Sequence, residues 1–117
     1  MAYMLLVVEK VGDRAARPRS EGEALYERML RFSAELQERG LLTLSQSLRT
    51  DTAGVRVTRH GEKTTVRDGP FTEAKEMIGG FLLLTCETRE QALEIARACP
   101  AAEWATIEVR ELGPCFQ

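Results

Sequence analysis

Two short apolar runs constrain this chain most. Tyr3-Met4-Leu5-Leu6-Val7-Val8 and Phe81-Leu82-Leu83-Leu84-Thr85-Cys86 place apolar side chains at neighbouring positions, not at alternate ones. Successive side chains on a strand point to opposite faces. Each run therefore reads as a strand that is apolar on both faces. Both are too short to span a membrane. Such strands belong in the middle of a sheet, and two of them in 117 residues set the plan of one small domain, residues 1–117.

Each run is followed by a helical pattern. Ser20-x-x-Glu23 has the form of a capping box, and Leu25, Met29, Phe32 and Leu36 repeat behind it at helical spacing as a buried face. Gly40 ends that helix. Thr88-x-x-Gln91 is a second capping box, with Ala92, Ile95, Ala96 and Cys99 as the inner face and Pro100 as the stop. Residues 10–19 read as a loop. Leu41 to Leu48 reads as a strand with Leu42, Leu44 and Gln46 on one face. Ala105 to Leu112 alternates as a half-buried strand. Val55-Arg56-Val57-Thr58 and Thr64-Thr65-Val66-Arg67 flank His60-Gly61 and predict a hairpin.

The order is β-α-β, an inserted hairpin, then β-α-β. It predicts an α+β, ferredoxin-like βαββαβ sandwich, in which the first and third main strands are central. Two helices cover one face of that sheet. Nothing else in the chain is long and apolar enough to cover the other, so a second copy is expected there: a homodimer packed sheet against sheet.

Net charge is −2, so no global basic field draws the chain to nucleic acid or an acidic membrane surface. The N-terminus has neither a positive n-region nor a small-residue cleavage site, and is not expected to be a signal peptide. Cys86, Cys99 and Cys115 are odd in number and lack metal-ligand spacing. They fit reduced thiols in a cytoplasmic protein, with Cys86 and Cys99 acting as small buried hydrophobes.

The chemistry-bearing stretch is Asp68-Gly69-Pro70-Phe71-Thr72-Glu73-Ala74-Lys75-Glu76, followed by Gly79-Gly80-Phe81. Gly69 accepts backbone angles other residues avoid, Pro70 fixes the chain direction, and Phe71 can anchor the loop in the core. Asp68 could thus be held over the sheet as a general acid or base, or simply cap a turn. Lys75 and Glu73 could meet polar groups of a ligand or stand in solvent. Gly79 and Gly80 open the strand and either admit a ligand or a partner backbone, or form a bulge. Tyr26 could supply a phenol to the same pocket or pack its ring. Arg14, Arg17 and Arg19 could clamp a carboxylate or phosphate, or remain a solvated loop. His60, the lone histidine, sits in the hairpin turn and lacks the company for a zinc site. No metal or organic cofactor is implied.

With Tyr3-Met4-Leu5-Leu6, Cys99-Pro100 and Ile107-Glu108-Val109-Arg110 standing in order around that motif, the chain resembles the YCII-related family, and within it the DGPF-domain branch. The resemblance implies a dimeric α/β barrel of ferredoxin-like subunits. Some family members stand beside, or are fused to, extracytoplasmic-function sigma factors, which makes a sigma factor a candidate partner and a non-catalytic sensing module an alternative reading. Better-studied relatives look like small cofactor-free lyases or dehalogenases with a His-Asp pair. The aspartate carries over to Asp68. The histidine would lie near the start of the first helix, where Glu21-Gly22-Glu23-Ala24-Leu25-Tyr26-Glu27 contains none. A small polar organic molecule is the expected ligand, with Asp68 as the catalytic group and Lys75, Glu73, Tyr26, Gly79 and Gly80 around it.

Overall fold

The computed structural model describes residues 2–117. Strand β1 (Tyr3–Lys10) leads into a one-turn helix α1 (Asp13–Ala16) and the long helix α2 (Arg19–Glu38). Strand β2 (Leu42–Ser47) follows, then strands β3 (Val55–His60) and β4 (Lys63–Asp68). Strand β5 (Glu76–Leu84), helix α3 (Arg89–Ala98) and strand β6 (Thr106–Glu111) complete the chain. The main sheet is antiparallel, in the order β2-β5-β1-β6, and β3 and β4 form a separate hairpin. The two apolar runs are the two central strands, which is the ferredoxin-like order. Among the described residues no helix is long and apolar enough to cross a membrane.

Alternation along the central strands separates two surfaces. Tyr3, Leu5 and Val7 of β1, with Leu82 and Leu84 of β5, face the helices and are buried against Leu36, Ala92 and Ile95. Met4, Leu6 and Val8 point the other way, opposite Leu83, Phe81 and Ile78 of β5. No helix covers that side. Its central residues are only half-buried, and Leu44 and Ile78 are exposed.

Four local expectations are corrected. The residue before a proline is driven to extended backbone, as Arg17 is (φ −94°, ψ 135°), so α2 starts directly after Pro18. Ser20 then lies inside the helix, no side chain caps it, and Glu23 pairs with Arg19 at 2.8 Å instead. By contrast, the Thr88 hydroxyl does accept from the Gln91 N–H at 3.1 Å and caps α3. The loop 10–19 contains α1. A register shift between Leu42 and Leu44 sets them opposite Leu84 and Leu83, so they share no face. Strand β5 begins at Glu76, which puts Gly79 and Gly80 inside it and Cys86 just beyond its end.

The hairpin stands apart from the body, with every residue of β3 and β4 exposed. The radius of gyration is 16.1 Å, against about 13 Å for a compact chain of this length. Cys86 and Cys99 are buried, Cys115 is exposed, and all three are free thiols. Burial pushes the Cys86 and Cys99 thiols up from their ordinary pKa.

Candidate ligand-binding site

Helix α2 touches the sheet at one end only. Leu36, two residues from its C-terminus, is 1% exposed. Leu25, Met29 and Phe32, expected beside it in the core, are half-buried, and Leu30 and Tyr26 are 52% and 53% exposed. The reason is a cavity of about 750 Å³ between the N-terminal half of α2 and the sheet. Leu25, Met29, Leu82 and Ala101 give it apolar walls, and Ser33 and Ser45, joined at 3.1 Å through their hydroxyls, add a polar strip. Trp104 forms a further wall. It is held by Arg28, whose guanidinium lies 5.5 Å from the ring centroid and grips Glu103 at 3.2 and 2.5 Å.

One end of the cavity is charged. Glu9, at the end of β1, is the one buried charged residue among those described, at 7% exposure. Arg14 of α1 meets it as a fork: Nε donates to Oε1 at 2.9 Å and Nη2 to Oε2 at 2.6 Å. The same guanidinium donates to the carbonyls of Leu48 at 2.7 Å and Gly79 at 3.0 Å. Arg14 thus ties α1, β1, β5 and the end of β2 to a single point. Gly79 makes room for it. Val7 faces Gly80 and Val8 faces Ile78, so Gly79 is the extra residue of a β-bulge. A Cβ there would fall 1.5 Å from Glu9 Oε2.

The structure brings Tyr26, Gly79 and Gly80 to this cavity. Asp68, Glu73 and Lys75 line neither it nor a smaller one of about 270 Å³ beside Trp104. Asp68 is exposed at the end of β4, opposite Val55. Lys75 is exposed, and its carbonyl accepts from the Val11 N–H at 3.0 Å. Glu73 accepts from Arg67 at 2.6 Å and Arg56 at 3.2 Å. Hydrogen bonds from its own backbone and from Arg67 hold its carboxyl below the ordinary carboxylate range.

The motif around Asp68 builds the root of the hairpin. Phe71 is buried outside the main core, with the Arg56 guanidinium 3.8 Å and that of Arg67 5.4 Å from its ring centroid. Gly69 follows Asp68, its N–H donating to the Gly54 carbonyl at 2.8 Å. A Cβ on Gly69 would fall 1.9 Å from the Asp51 carbonyl oxygen, so only glycine fits. His60 is exposed at the hairpin tip.

The model of the YCII-related domain matches residues 1–115. The chain belongs to the YCII-related family. It is also 31% identical over 115 residues to an uncharacterized protein, R00369, of Rhizobium meliloti (strain 1021), a match spanning 97% of this chain and 93% of that one. In this YCII-related chain the buried polar centre is the Glu9–Arg14 pair. The sequence offered one sign of each partner: a carboxylate closing an apolar strand, and an arginine cluster in the next loop. Their pairing needed the one-turn helix that periodicity did not show.

Proposed function

We propose that this YCII-related protein binds a small organic molecule between α2 and the sheet, as a homodimer whose helix-free sheet faces close into an α/β barrel. The cavity carries the reading. Its roughly 750 Å³ lies within the range of small-molecule sites, with apolar walls and a few converging polar groups. Glu9 has both carboxylate oxygens fixed by Arg14, and each keeps a further lone pair for a ligand donor. A group held this way orients a ligand at low entropic cost.

Binding without turnover is favoured over His–Asp chemistry. Asp68 lines neither cavity, and His60 stands at the hairpin tip. A ligand-sensing role, beside a sigma factor or in the cytoplasm generally, is compatible with that but rests on the resemblance of the Asp68–Phe71 stretch to the DGPF branch. Trp104, the one tryptophan, reports on the cavity directly. Ser45→Phe fills the space beside Ser33 and should abolish the Trp104 emission change produced by a binder while leaving the fold intact. A binder whose emission change survives in Ser45→Phe would place binding elsewhere.

The dimer rests on the uncovered face formed by Met4, Leu6, Phe81 and Leu83. Leu83→Glu would bury an unpaired charge there and should convert a dimer to monomer in sedimentation velocity. A wild-type chain that sediments as a stable monomer at micromolar concentration would rule the barrel out.

A further inference from the structure

Five charged side chains line the cavity: Glu9, Arg14, Arg17, Arg19 and Glu23. Four are already matched. Arg14 pairs with Glu9, and Arg19 with Glu23. Arg17 makes no ion pair among the described residues. It is half-buried, and its stem runs beside the first turn of α2, where a methyl on Gly22 would lie 3.9 Å from its Cδ. The balance of the site is therefore one cation in excess, beside the first turn of the helix that carries Leu25 and Met29. Leu25, Met29, Leu82 and Trp104 form the apolar side, and Leu30 stays exposed at its edge.

Taking the cavity as the binding site, we propose that its ligand is a carboxylate with an extended apolar body, the head on Arg17 and the body along α2. An apolar wall this long has no use for a small polar molecule, and every lining residue it leaves to solvent costs hydrophobic free energy. A cationic head would meet Arg17 with like charge. A neutral head would leave the guanidinium without a partner as the ligand displaces water from it. A carboxylate accepts two parallel N–H bonds from the same fork geometry that Arg14 already offers Glu9.

The test uses decanoate, decan-1-ol and decylamine at concentrations below micelle formation, read through Trp104 emission. Decanoate should bind tightest and decylamine weakest. Arg17→Met should weaken decanoate roughly tenfold, the loss of a charged hydrogen bond, and should not weaken decan-1-ol. Arg17→Lys should recover part of the loss. The melting temperature of ligand-free Arg17→Met should match wild type, because among the described residues the Arg17 side chain has no ion pair to lose. If decan-1-ol or decylamine binds as well as decanoate, or if Arg17→Met binds decanoate as wild type does, the ligand class is wrong while the cavity remains a binding site. If none of the three changes the emission, the cavity reading falls and takes this one with it.

Discussion

Helices α2 and α3 lie on the same face of the same sheet, and their sequences carry the same signs: a capping-box pattern, then apolar residues at helical spacing. Only α3 behaves as its pattern says. It is half the length of α2, 10 residues against 20, yet it buries Ala92, Ile95 and Ala96, while α2 buries Leu36 alone. The small residues explain part of this. Two alanines let the α3 backbone approach the sheet closely, so that one isoleucine fills the gap. On α2, Leu25 and Met29 reach toward a sheet surface that recedes at Ser45, Gly79 and Gly80, whose side chains are short or missing. An apolar stripe thus marks a core only when the opposite surface supplies volume; otherwise it marks the wall of a cavity.

Two pairs of substitutions test that contrast. Ile95→Ala empties a packed site and should cost about 2–5 kcal/mol, whereas Leu25→Ala enlarges a space that already exists and should cost about 1 kcal/mol or less. Urea unfolding of both variants decides it, and equal losses would mean that α2 seats in solution as tightly as α3. A smaller effect separates the two starts. Thr88→Ala removes a formed cap and should cost about 1 kcal/mol, while Ser20→Ala, inside α2, should stay within about 0.5 kcal/mol. A loss at Ser20 matching that at Thr88 would show that α2 starts at the predicted cap and not at Pro18.

The plan of the sheet was legible because it depends on Tyr3–Val8 and Phe81–Cys86, whose two-sided apolarity admits only central positions. The hairpin was legible from its turn. The site was legible in parts. Of the candidates, Tyr26, Gly79 and Gly80 line the cavity under α2, while Asp68 stands at the hairpin root, which Gly69, Phe71 and Glu73 hold through Asp51, Gly54, Arg56 and Arg67. Glu9 escaped notice, and Arg14 stood only as one of three loop arginines that could clamp a carboxylate, for a physical reason. Their meaning lies in a contact made by a four-residue helix, too short to leave a period, and in a bulge opposite Val7 and Val8 that no spacing rule reveals.

That bulge binds three distant positions into one heritable unit. At 1.5 Å from Glu9 Oε2 there is no place for even a methyl on residue 79, so glycine there answers to the acid at 9, and the acid answers to the arginine at 14. A lineage that gives up Glu9 frees residue 79 to gain a side chain and leaves Arg14 without its anchor. One that keeps Glu9 is confined to glycine at 79 for as long as it does. Among relatives the three positions should therefore be kept together or lost together, so the trio can be sought in any of them before its structure is known.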